Sequence, residues 1–262
     1  MKRLTYFFTF VFVISFIIVV NNILIYKKYG VFKNENLKKL SQMLVKSKYE
    51  KAEQLLKTVK FSLDEKNNKD QTLLYMFIKY DKFDAFKWLL EKGADPNILI
   101  NDREDSAMRQ MAECEDSKYL EFALKYRGNP LLVHSGGKRP LYFACVANRL
   151  KNVDILIKAG DNGNIADEFQ NTTIKCLLLL NKYDCVNVLL DKGINPYQSS
   201  KEIRDSIVFF VEMSYPSISS KFLPHFLKTV DKLRLLGFKI ELLSSHDYIK
   251  RQEERKKGRN FQ

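Results

Sequence analysis

The stretch YDKFDAFKWLLEKGADPN, residues 80–97, runs through a leucine pair into the turn Gly93-Ala94-Asp95-Pro96-Asn97. Nearly the same phrase returns as YDCVNVLLDKGINP at 183–196, and a looser copy, LKNVDILIKAGDN, lies at 150–162. Three copies at multiples of one interval mark an internal repeat.

Aligning the turns places unit starts near Thr72, Arg139 and Thr172, and the same frame admits units from Lys38, Ser106 and Ser206. Successive starts lie 34, 34, 33, 33 and 34 residues apart. Each unit reads as two short helices whose apolar faces cannot be buried alone, so neighbours must stack into one continuous core. Gly93 and Gly193 end second helices, because the left-handed closing conformation costs least without a Cβ. Pro96 and Pro196 then prevent the helix resuming. Pro140 sits in a first helical turn, where no hydrogen bond is lost.

The pattern resembles the ankyrin repeat, a two-helix unit of this period with the signature T-P-L-H-x-A followed by V-x-x-L-L-x-x-G-A. Thr72, Leu73, Leu74 and Tyr75 open the second unit, and Phe86, Leu89, Leu90, Gly93, Ala94 and Asn97 complete it. RPLYFACVANRLKNVDILIKAG, 139–160, is the fullest copy, with Pro140, Leu141, Ala144, Val153, Leu156, Ile157 and Gly160 in place. The fifth unit keeps Thr172, Val186, Leu189, Leu190 and Gly193. The third keeps Met108, Ala112, Leu120 and Leu124 but carries Arg127 at the glycine position, so either Arg127 is strained or the turn moves to Gly128. The first retains an apolar frame of Leu40, Met43, Leu44, Ala52, Leu55 and Leu56, and the sixth shifts after Ser206 around extra residues from Tyr215 to Pro224. The family's histidine is replaced in every unit, by Tyr75, Arg109, Tyr142, Lys175 and Phe209 among others, which predicts loss of its bonding within and between turns.

The resemblance implies an all-α fold, an ankyrin-type helical-hairpin solenoid over 38–243, and the apolar run before it adds a single N-terminal transmembrane helix. Leu4–Ile25 carries no charge, and sixteen of its residues are Leu, Ile, Val or Phe. At about 1.5 Å per residue it would span roughly 33 Å as a helix, enough for a bilayer core. A cleaved signal needs a shorter apolar run and a small-residue cleavage site, whereas no alanine precedes Ala52 and no cysteine precedes Cys114. The expected organisation is a short basic tail at 1–3, an anchor at 4–25, a basic linker at 26–37, the solenoid, and a charged tail at 244–262. Lys2 and Arg3 favour an inside N-terminus, while Lys27, Lys28, Lys33, Lys38 and Lys39 pull the other way. Flanking charge therefore leaves the orientation open.

Of the formal charge of +13, +6 lies in residues 1–39 and +4 in 250–259, which leaves +3 for the whole body. That distribution gives no basic groove, and nucleic acid is not an expected partner. Catalysis, cofactors and metals are not expected either. His134, His225 and His246 stand far apart, and Asp102, Glu104 and Asp105 lack calcium-loop spacing. No phosphate loop or dinucleotide fingerprint is present. The Gly136-Gly137 pair after His134 reads as hairpin glycines rather than an oxyanion loop. Cys114, Cys145, Cys176 and Cys185 lack metal spacing and read as reduced, buried thiols that sequence cannot pair.

The family recognises proteins through the inter-repeat fingers and the exposed side of each first helix. In this frame the exposed positions are Met76 and Lys79, Gln110 and Glu113, Phe143 and Val146, Cys176 and Leu179. Phe143, Val146 and Leu179 are apolar, which fits either an interface or a covered core. The fingers add Arg103, Glu104, His134, Lys138, Glu168 and Phe169. Trp88, with Phe122, Ile155 and Val188, is expected in the core. The functional expectation is a membrane-tethered module that binds a protein partner, without activity of its own. By analogy with anchored bacterial ankyrin-like proteins, that partner would be a secreted toxin or lipase neutralised by an immunity protein at the inner membrane, with the body on the periplasmic side. A scaffold or host-interaction protein is the alternative, and an enzyme without a recognisable motif the other class.

Overall fold

Thr72 marks how each helix pair begins. Its backbone is extended and its hydroxyl accepts the N–H of Tyr75 at 3.2 Å. A short polar side chain in this position satisfies a donor that the first helical turn leaves open. Ser106 does the same for Arg109 at 3.0 Å, Thr172 for Lys175 at 3.2 Å and Ser200 for Ile203 at 3.4 Å. Arg139 makes no such bond, and there Pro140, which has no N–H to satisfy, opens the helix.

In the computed structural model, residues 32–166, 169–244, 246–247 and 249–250 are described. They form six helix pairs: α1 (Glu35–Val45) with α2 (Tyr49–Thr58), α3 (Leu73–Lys79) with α4 (Phe83–Glu91), α5 (Ala107–Glu113) with α6 (Lys118–Lys125), α7 (Pro140–Val146) with α8 (Leu150–Lys158), α9 (Thr173–Leu179) with α10 (Tyr183–Asp191), and α11 (Lys201–Ser214) with α12 (Leu223–Leu235). Five of the six second helices close on a left-handed residue: Gly93, Arg127, Gly160, Gly193 and Gly237 all have positive φ, while α2 ends on extended Val59. First helices close the same way at Ser47, Asp81, Asn148 and Asn181. In both cases the following N–H reaches back to the last turn, as Lys82 does to Phe77 and Ala94 to Leu89.

The chain divides into two compact units, one ending at Gln110 and including Phe122–Gly128, the other made of Met111–Glu121 and Asn129 onward. In the first unit, Leu40, Leu44, Leu73, Phe77, Phe86 and Leu89 are buried. The Phe83 and Phe86 rings pack against Phe122 at 6.0 and 6.4 Å. The second unit buries Leu141, Val153, Leu156, Leu177, Leu189, Ile207 and Phe226. Each such side chain contributes about 1.5–3 kcal/mol by leaving water. Polar side chains join neighbouring repeats where helix ends leave carbonyls open. The Asn152 amide donates to the carbonyls of Met111, Ala112 and Cys114, and Arg149 Nε donates to that of Glu113.

Several expectations change. The helical reading holds, and one detail is added to it: β1 (Leu99–Ile100) pairs antiparallel with β2 (Asp105–Ser106) in a two-rung finger. The linker expected to reach residue 37 ends sooner. Asn34 caps α1, and Phe32 and Leu37 are already buried. The sixth pair opens at Ser200 rather than near Ser206. Phe209, which sits where the middle pairs have a left-handed Asp or Asn, stays helical, so α11 runs on to Ser214. Arg127 itself takes the left-handed turn with φ of +64°, not Gly128. Gly128 is needed for closeness instead: a Cβ there would lie 2.8 Å from the Ala123 carbonyl and 2.9 Å from Met108 Sδ. Trp88, Phe122, Ile155 and Val188 are half-buried at the rim of the core.

The bonding of the missing histidine is replaced rather than lost. Tyr75 Oη donates to Asp105 at 2.7 Å, Arg109 Nη1 to the Glu104 carbonyl at 2.6 Å and Lys175 Nζ to the Gln170 carbonyl at 3.0 Å. The expected tail at 1–3, the anchor at 4–25, most of the linker, Glu168 and the end of the C-terminal tail lie outside the described residues. Among the described residues no helix is long and apolar enough to cross a membrane.

Candidate interaction surface

First helices of seven residues leave little surface. In α3, Leu73 through Ile78 are all buried, and in α7 so are Pro140 through Cys145. In these two helices only the last residue, and the turn after it, reaches solvent. This geometry corrects four of the residues expected to face a partner: Met76, Phe143, Cys176 and His134 are 1%, 6%, 7% and 2% exposed. For Phe143, Cys176 and His134 the cause lies in the finger at 129–138, which folds onto α7 and α9. The His134 ring meets Phe143 edge-on at 5.0 Å, its backbone N–H donates to the Lys138 carbonyl at 2.8 Å, and the Cys176 thiol faces the Gly136 carbonyl at 3.9 Å. Lys138 is half-buried, its ammonium 6.0 Å above the Tyr142 ring.

The remaining expected residues are at the surface. Arg103 and Glu104 form the tip of the β1–β2 finger, where Asn101, Asp102 and Arg103 all have positive φ. Phe169 is 69% exposed in the finger before α9. Val146 and Leu179 occupy the same place in successive repeats, the last residue of α7 and of α9, and are 39% and 45% exposed.

Beside Leu179 the structure adds two residues that the repeat frame does not single out. Leu180 is 51% exposed and Phe222 45% exposed, and both line a groove of about 380 Å³ with Lys182, Tyr183, Lys221 and His225. A signal for Leu180 was available: Leu177–Leu180 is a run of four leucines, more than one face of a seven-residue helix can bury. Phe222 belongs to the segment between α11 and α12, which has no counterpart in the other repeats. A wider groove of about 600 Å³ lies between α11 and the chain after α12, walled by Tyr197, Phe209 and Phe238. Its arginine is already committed, since Arg204 donates to the Tyr197 and Ser199 carbonyls and lies 5.0 Å over the Tyr197 ring.

Electrostatics hold the fingers and edges together rather than converge on a reactive centre. Burial pushes the Asp161 carboxyl above its ordinary range, against the Gly163 N–H that donates to it and the nearby positive Arg139. On the outer edge, hydrogen bonding from Lys92 lowers the Glu53 carboxyl, and Lys232 does the same for Asp191. Lys192 pairs with Asp154 at 2.6 Å in the equivalent place. Exposed pairs of this kind contribute little and weaken with salt. Among the described residues, no group of three or more His, Cys, Asp or Glu side chains could hold a metal.

No curated protein matches the chain. Ankyrin repeats, in three copies, match residues 40–167. The helix pairs, their spacing and this match agree: residues 40–167 are ankyrin repeats, which form a protein–protein interaction module.

Proposed function

We propose that the protein is a membrane-tethered binder without catalytic activity, which holds a protein partner on the apolar row Val146, Leu179, Leu180 and Phe222. The observation that carries this reading is the repetition of an exposed aliphatic residue at the end of consecutive first helices, widened by Leu180 and Phe222 into a groove. Contiguous exposed apolar side chains on a charged body favour an interface, because water is released only when a partner covers them. Lys182 and Lys221 outnumber Asp184 around the groove and would favour a partner with acidic side chains around an apolar centre.

The tether is the uncharged Leu4–Ile25 segment, and the specific role is neutralisation of a secreted toxin or lipase at the bacterial inner membrane, from the periplasmic side. A membrane-attacking enzyme is met where it acts, which is the use an anchor has. The test is co-purification of the full chain with the product of an adjacent toxin gene, together with protection of growth. Leu179→Asp and Leu180→Asp are expected to keep the helical circular dichroism signal and to weaken capture at least tenfold. Capture unchanged by both substitutions removes the surface; no protection against any adjacent toxin removes the role.

A further inference from the structure

Cys145 lies on α7 and Cys185 on α10, 40 residues apart in sequence and 3% and 7% exposed. The Cys145 thiol lies 3.4 Å from the Cys185 carbonyl oxygen, and the Cys185 thiol lies 3.3 Å from the Cys145 carbonyl oxygen. Each side chain thus reaches across to the other's backbone. The two thiols also hydrogen-bond to each other, the close approach that a disulfide between them needs. Cys176, on the neighbouring helix α9, turns instead to the Gly136 carbonyl, and Cys114 is half-exposed after α5. All four sulfurs are thiols.

We propose that Cys145 and Cys185 form a redox-responsive dithiol, closed to a disulfide by a hydroperoxide, which staples the fourth repeat to the fifth. A peroxide is the oxidant that suits a buried pair, since its small end can follow the path of a water molecule. The two sulfurs are unequal. Hydrogen bonding from Cys145 lowers the Cys185 thiol, and the same contact together with burial raises Cys145. Cys185, the more accessible of the two as well, is the attacking sulfur. Its thiolate takes the terminal oxygen of the peroxide, the O–O bond breaks, and the alcohol leaves, so that Cys185 becomes a sulfenic acid. Cys145 then attacks the Cys185 sulfur, the S–O bond breaks, and water leaves with the Cys145 proton. Two thiols and one hydroperoxide give one disulfide, one alcohol and one water. The closed loop holds about 40 residues, and removing its freedom from the unfolded chain raises the melting temperature by roughly 10 °C.

Hydrogen peroxide added to the full chain in detergent tests the assignment. Titratable thiols are expected to fall from four to two, with peptide mapping joining the segments around Cys145 and Cys185 and dithiothreitol restoring the starting state. The link is expected to survive in Cys114→Ser/Cys176→Ser and to vanish in Cys185→Ser. A link that involves Cys114 or Cys176, or oxidation of Cys185 to a sulfinic acid with no link, overturns the pairing. If Cys185→Ser fails to fold, the double variant decides alone, since failure to form a link there refutes the proposal. A link that leaves the melting temperature unchanged refutes the staple.

Discussion

Arg127 holds a left-handed backbone where four other repeats have glycine, with φ of +64° against +95° at Gly93, +107° at Gly160, +84° at Gly193 and +101° at Gly237. For a side chain with a Cβ that conformation costs about 1–2 kcal/mol. Part of the cost returns through the smaller entropy loss of a non-glycine residue on folding. Arg127→Gly is therefore expected to raise stability by about 0.5–1 kcal/mol in urea unfolding, and Gly193→Ala to lower it by about 1 kcal/mol. No atom lies within 4 Å of a Cβ built on Gly193, so its loss would be purely conformational. Gly128→Ala should cost more than either, because there the backbone of Ala123 is in the way. Asp161 makes the complementary electrostatic case. It is fully buried, with one carboxylate oxygen bonded to the Gly163 N–H and the other unpaired. Its folded pKa is raised, so the folded state holds the proton more tightly than the unfolded chain. Stability then declines as pH rises from the ordinary aspartate value of about 3.9 through the raised one, and stays lower above it. Asp161→Asn keeps an acceptor for Gly163 and cannot ionise. It is expected to be more stable than the parent at pH 7 and to lose that segment of the pH profile, measured by thermal unfolding between pH 4 and 7.

Helix boundaries are set by single polar residues. Replacing Thr172 with alanine removes the acceptor for the Lys175 N–H at the start of α9. The expected loss is about 1 kcal/mol, seen as a lower urea midpoint with the slope unchanged. Thr72→Ala should behave alike, whereas Arg139→Ala tests something different, since Arg139 Nη1 donates to the Ile165 carbonyl at 2.7 Å. These elements account for what the sequence made legible. The leucine pairs, the glycine stops and the capping threonines are local requirements, so their spacing revealed the second helices and the repeat period directly. The second punctuation mark was equally local: Asp81, Asn148 and Asn181, each followed by Lys or Arg, close the first helices. The sixth repeat carried its own stop at Leu235-Leu236-Gly237, with Gly237 at φ of +101°. Partner-facing residues were less legible because exposure depends on how a finger folds back. Nothing local to Phe143 announces that His134 will cover it. The same tertiary contact that hides Phe143 and Cys176 leaves Val146 and Leu179 at the helix ends, where periodicity alone had grouped all four together.

At the scale of the whole molecule, the boundary between the proposed anchor and the repeats decides how the protein can be divided. The repeat body does not begin at the first matching residue of the repeat frame. Phe32 is 2% exposed, and Asn34 accepts the N–H groups of Asn36 and Leu37 while its amide donates to Glu65 at 2.9 Å. Phe32 and Asn34, just before α1, are therefore part of the fold, and Asn34 ties the start of its first hairpin to the segment after α2. A fragment that starts at 34 keeps the cap but discards Phe32, a loss of about 1.5–3 kcal/mol from one buried aromatic ring. A fragment that starts at 26 keeps both. The expected outcome is that 26–262 unfolds at a higher urea concentration than 34–262, while Phe32→Ala in the longer fragment reproduces the deficit. Equal midpoints would mean that the ring contributes nothing to the body. The same pair separates tether from fold. The full chain should sediment with membranes and resist extraction by salt, and 26–262 should remain in the supernatant. If 26–262 also sediments, membrane attachment does not rest on Leu4–Ile25, and the exposed leucines of the second unit become the surface to test against lipid.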